Sequence, residues 1–143
     1  MSAMILVVTG LGGSLSEILK ATPAVEYISG FFAAYGLPSI LLPFVIGIIG
    51  NMITGSTTVG VITAASLVAP MLGTLALSPE AAMLAGASGS VIIKYVNSSY
   101  FWVCTSLSRV PVNDAILGYG GATLVGGVTS FLVVCTMWAV GII

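Results

Sequence analysis

The sequence predicts an all-α polytopic membrane protein with about three full transmembrane helices, a re-entrant or half-span helical hairpin, and a broken helix near Gly55. Three observations carry that prediction. The 143 residues are 58% hydrophobic and only 5% charged, with mean hydropathy +1.21, whereas soluble domains are about 25% charged. The charged residues are Glu17, Lys20, Glu26, Glu80, Lys94, Arg109 and Asp114, and the longer intervals between them hold the ~20 apolar residues that cross a bilayer core. The 18 glycines, with many Ala, Ser and Thr, suit membrane helices that pack closely.

In chain order, residues 1–11 are apolar but roughly half the length of a span, fitting a short half-helix or the remaining end of a longer one. They lack a basic leading region and a cleavage motif, so they do not read as a signal peptide. Residues 12–26 place Leu15, Ile18 and Leu19 at helical spacing before Pro23, an interfacial amphipathic turn. A first span is predicted from Ser29 or Leu37 to about Ile53, with a break at Gly36-Leu37-Pro38 and a kink at Pro43. Residues 59–77 form a second span, bent at Pro70. Ser78-Pro79-Glu80 then reads as a helix start, with a cap, a proline at the first position and an acid in the first turn.

The helix opening there is short, and residues 94–99 interrupt it with polar side chains before 100–107 become apolar again. Two short arms around a polar tip predict a re-entrant hairpin, and one long helix over 79–107 with a polar face is the alternative. Residues 110–114 form a loop. Residues 115–143 carry no charge and suffice for one tilted span, on which Gly118, Ala122, Gly126 and Ser130 recur every four residues as a helix-packing face. Cys104 and Cys135 sit in apolar surroundings and read as small packing residues.

The run Gly55-Ser56-Thr57-Thr58 lies in a stretch, residues 27–79, with no charged side chain. Backbone that leaves the helix at membrane depth is tolerated where protein covers it or where it lines a cavity. Three hydroxyls and the free amides at the start of the next helix suit a carboxylate. Equally, those hydroxyls can bond carbonyls one turn back and merely bend the helix. Lys94 lies between apolar segments, where an ammonium costs at least ~2.5–3.5 kcal/mol. It needs a partner or water: either it snorkels to the interface or it joins Asn97 and Ser98 at a solvated cavity. Asn51, one turn before Gly55, either lines that cavity or satisfies a carbonyl of the broken helix. The candidate substrate-binding residues are therefore Asn51, Gly55, Ser56, Thr57, Thr58, Lys94, Asn97 and Ser98.

Other chemistries find little support. Gly86-Ala87-Ser88-Gly89 matches the GxSG of an intramembrane serine protease, but the chain has no histidine to serve as general base. Only a Ser88–Lys94 pairing would remain, so no enzyme is expected. With no His/Cys cluster, no metal or other cofactor is expected. A net charge of −1 without a basic cluster leaves nothing to neutralise phosphates, so nucleic acid is not an expected partner. Asn97-Ser98-Ser99 forms a glycosylation sequon whose apolar flanks argue against its use.

Several ordered pieces of sequence resemble the gluconate permease family of sugar-acid:proton symporters, within the wider ion-transporter superfamily. They are Gly12-Gly13 with Ile18-Leu19; residues 55–59 leading to Ile62-Thr63-Ala64; Ala69-Pro70; Leu77-Ser78-Pro79; Gly89-Ser90-Val91-Ile92; and Val96-Asn97 followed by Phe101-Trp102. The resemblance covers essentially the whole chain and implies a single transmembrane domain, residues 1–143, equivalent to the C-terminal third of a family member. It further implies that residues 55–58 form a substrate-facing helix break and that the Asn97 segment is the tip of a second site element. Two departures stand out. The family's His-Val-Asn-Asp is here Tyr95-Val96-Asn97-Ser98, preceded by Lys94, and Asn51 stands where an arginine is common. The first removes two candidate proton carriers, and Lys94 restores the positive charge lost at position 51.

The expectation is thus part of a secondary transporter for a small organic anion, gluconate or a related sugar acid, coupled to protons. It would sit in a bacterial inner membrane and work with a missing N-terminal permease portion or with other copies of itself. Competing expectations are a non-transporting fragment or subunit whose polar patches only pack helices, and a homo-oligomeric pore.

Overall fold

The computed structural model describes residues 30–32 and 34–143, together with Val7, Gly10, Leu11, Ser14, Ile18, residues 21–23 and Tyr27. The expectations for residues 1–11 and 12–26 fall largely outside the described residues. Within them all regular structure is helical.

The predicted break before the first span is present: Gly36 takes φ +62°, and the Leu37 N–H donates to Phe32 O (3.0 Å). Helix α1 then runs Leu41–Thr54. Pro43 falls in its first turn, where amide N–H groups have no intrahelical partner, so the kink expected at Pro43 has no intrahelical hydrogen bond to break. At 14 residues α1 is about 21 Å long, short of the roughly 30 Å of a hydrocarbon core. It stops because Gly55 adopts the left-handed conformation (φ +69°) and turns its N–H back to Asn51 O.

Helix α2, Thr57–Val68, restarts two residues later, and the Ser56 hydroxyl caps it by accepting from the Val59 N–H (3.4 Å). Pro70 produces the expected bend as a 3-10 turn, Ala69–Met71, continued by the short α3, Leu72–Leu75. Ser78 caps α4, Pro79–Val91, through the Ala81 N–H (3.1 Å), with Pro79 and Glu80 in the first turn. The chain leaves the helix at Ile92 and Ile93, and α5, Ser99–Ser108, follows a connection over 92–98. One long helix over 79–107 is therefore ruled out. The two arms do not form a packed hairpin either, since α5 finds its contacts on the last helix, α6, Val112–Ala139.

Two helical stretches among the described residues are long and apolar enough to cross a membrane: Thr57–Leu75 and Val112–Ala139. Helices α1, α2 and α4 pack into one group, with α6 laid against α4. Small residues make this possible. A Cβ added to Gly60 would lie 2.7 Å from the Ser90 Cβ, and one on Gly86 the same distance from the Ala64 Cβ, while Gly47 and Gly89 bring α1 and α4 into backbone contact. Phe44 of α1 stacks on Phe131 of α6, ring centroids 3.8 Å apart.

The face α6 uses differs from expectation. Gly118, Ala122, Gly126 and Ser130 are exposed, whereas Ala115, Gly127, Phe131 and Val134 are buried. Gly126 and Ser130 border an open groove of about 760 Å³ against Leu84, Ala87 and Ser88 of α4. Bulky Phe131 and Val134, which join the apolar core, override the four-residue repeat of small side chains. Cys104 and Cys135 are free and half-buried.

Candidate functional site

The two places where the backbone leaves the helix meet. Gly55, between α1 and α2, packs so closely on the 92–98 connection that a Cβ there would run into the Asn97 carbonyl and stand 3.1 Å from Ser98 N. Glycine is required at Gly55 on two counts: its φ is unfavourable for other residues, and no space remains for a side chain.

The end of α1 exposes carbonyls with no helical partner, and the connection supplies donors to them. Asn97 Nδ2 donates to Met52 O (2.7 Å). Lys94 Nζ donates to Asn51 Oδ1 (2.7 Å) and, at longer range, to Gly55 O (3.4 Å). In return Asn51 Nδ2 donates to Ile92 O (3.0 Å), so Asn51 uses both ends of its amide to tie the breaks together. Thr54 Oγ1 donates to Gly50 O (2.7 Å) and accepts from the Ser56 N–H (3.2 Å).

Asn51 is 1% exposed and Lys94 6%. The ammonium therefore does not snorkel out of the protein. Its partners are neutral oxygens, and no carboxylate pairs with it among the described residues. Hydrogen bonds of this charge-assisted kind contribute ~1.5–3 kcal/mol each, so truncating Asn51 leaves a buried cation underserved. Ser98 is buried at 1% exposure, and its Oγ has no hydrogen-bond partner among the described residues.

On the other side of the break, the N-terminus of α2 is open. The Val59 N–H is capped by Ser56, and the Gly60 N–H bonds Ser56 O (3.0 Å). Ser56 and Thr57 are half-buried and Thr58 is exposed. This places unsatisfied first-turn amides and two threonine hydroxyls at the positive end of a helix dipole, a setting that favours an anion.

The structure thus brings Asn51, Gly55, Lys94, Asn97 and Ser98 into one junction, with Ser56, Thr57 and Thr58 beginning the adjoining helix. It adds members that sequence reasoning missed. Thr123 of α6 accepts the Lys94 backbone N–H (3.1 Å) and donates to Gly120 O (3.0 Å), fastening the connection from the far side. Ile93 takes φ +57°, a strained conformation for a β-branched residue. Nothing in the sequence separates Thr123 from the other hydroxyls of α6. Ser88, by contrast, leaves the site: its hydroxyl donates to Leu84 O (2.8 Å), while Lys94 is committed to Asn51, so no Ser–Lys dyad forms.

An all-helical membrane chain whose interrupted helices bring polar ends together between apolar segments has the build of a membrane transporter. The comparison with known families agrees: residues 1–141 match the GntP family permease model, and the chain belongs to that family. It is an integral membrane protein of a transporter family, not an enzyme.

Among curated relatives, it is 31% identical over 114 residues to the high-affinity gluconate transporter of Escherichia coli K12, covering 80% of this chain and 26% of that protein. It is 30% identical to the D-serine transporter DsdX of the same strain, over 90% of this chain and 29% of the relative. The gluconate permease of Bacillus licheniformis is 34% identical over 70% of this chain and 22% of its own length. The chain thus spans roughly a quarter of the length of the relatives it matches. No solved structure matches it.

Proposed function

We propose that this chain is the C-terminal part of a gluconate-type carrier of the bacterial inner membrane, binding a small organic anion such as gluconate or a related acid at the junction of its two helix breaks. The observation that carries this reading is the open N-terminus of α2 beside a buried Lys94 that no carboxylate pairs among the described residues. In this reading the Thr57 and Thr58 amides and hydroxyls, with Gly55 and Ser56, receive the carboxylate. Lys94 balances its charge, and Asn51, Asn97 and Ser98 complete the lining toward substrate hydroxyls. The membrane layout is three crossings and a half-span element, with α1 reaching across together with the helical residues before Gly36. Alternating access comes from movement against the remaining permease portion or against further copies of the chain. D-serine is a second substrate class to test, because a relative bears that name.

Proton symport is part of the proposal. Glu80 and Asp114, two of the acids open to this role, are exposed in the first turns of α4 and α6, and Glu17 lies outside the described residues.

A second reading has its own support. Lys94 spends donors on Asn51 Oδ1 and Gly55 O, and Asn97 on Met52 O, as they would in a non-transporting subunit whose polar residues only close helix ends. Uptake of labelled gluconate and D-serine, by cells making this chain with and without an N-terminal permease portion, separates the two. Proton-dependent uptake that appears with the partner supports the carrier. No uptake in either case, with the chain shown to be inserted, overturns it.

A further inference from the structure

We infer that the space between Asn51, Gly55 and the 92–98 connection is a cation site that this chain fills with its own Lys94 ammonium. The ligands have the chemistry of such a site. Asn51 Oδ1 and Gly55 O are neutral oxygens at the negative end of the α1 dipole, and carbonyls of an unwound helix end are groups that hold small monovalent cations in membrane proteins. The charge itself has no carboxylate to answer it among the described residues, so these two oxygens and the dipole are what hold it. A tethered ammonium of this kind offsets the negative end of α1, and the break closes without a free ion from solution. The site needs no sodium.

This inference concerns the same junction as the carrier reading, but it rests on the cage and not on transport. Its test is therefore the thermal unfolding of the whole chain in detergent, measured at equal ionic strength in sodium, methylammonium and choline chlorides. The wild type is expected to melt at one temperature in all three. Lys94→Ala, which empties the cage, is expected to melt lower in choline and to recover in a saturable way with methylammonium or sodium, ions small enough to enter. Lys94→Met keeps the apolar stem without the charge and is expected to melt low in every salt. The inference is overturned if Lys94→Ala responds to all three cations alike, or if Lys94→Met is as stable as the wild type, since packing of the stem would then suffice. Failed uptake leaves these outcomes unaffected, and a cation-indifferent cage leaves the uptake experiment open.

Discussion

A methyl group added at Gly55 meets two obstacles at once, a left-handed backbone (φ +69°) and the Asn97 carbonyl. Gly55→Ala is therefore expected to lose more than about 2 kcal/mol of stability, read as a lowered denaturation midpoint in detergent; a midpoint within error of wild type would contradict the interlock. Asn51→Leu keeps the volume but removes both an acceptor for Lys94 Nζ and a donor to Ile92 O. We expect it to cost about 3 kcal/mol, and to be worse than Asn51→Asp, which retains the acceptor. At this scale much of the site was legible. An amide and a lysine inside apolar sequence are conspicuous because each is costly there without a purpose. Thr123 was not legible: a threonine is commonplace in a membrane helix, and its role depends on which segment folds beside it.

Elements divide in the same way. The start of α4 could be read from Ser78-Pro79-Glu80, because capping is local chemistry between a side chain and amides three residues on, whereas the Ser56 cap of α2 emerges only in the structure. Breaks at Gly36, Gly55 and Pro70 were legible for the same reason. The packing face of α6 was not, since a four-residue repeat of small side chains says that a neighbour could approach, not that one does. Its actual face sets Gly127 against Ile92 and Ser88 O, while Gly126 has open space. Gly127→Ala should thus cost about 1–3 kcal/mol by overpacking, whereas Gly126→Ala should be neutral or stabilising by up to ~1 kcal/mol. Equal effects in a thermal-shift comparison would show that α6 is rotated from the face described.

For the whole molecule, the membrane class followed from charge scarcity alone, because so few ionisable groups cannot cover a water-facing surface. The number of crossings is not set by composition, since helix length depends on where breaks fall: α1 is stopped at Gly55, and among the described residues two stretches reach full span length. The outward faces of α5 and α6 carry exposed Val103, Leu107, Leu117, Val125 and Leu132, which a bilayer would cover. The chain should accordingly stay in the membrane pellet through an alkaline carbonate wash, and its release into the supernatant would contradict integral insertion.

The contact between Gly55 and Asn97 also bears on how this chain can vary. Position 55 is confined by a carbonyl that Asn97 holds in place through Met52 O, so neither residue can be judged by itself. In a double-mutant cycle, Asn97→Ala should relax the connection and make Gly55→Ala less damaging than in the wild type, with a coupling of about 0.5–3 kcal/mol. Two positions 42 apart in the chain would then be inherited as a pair.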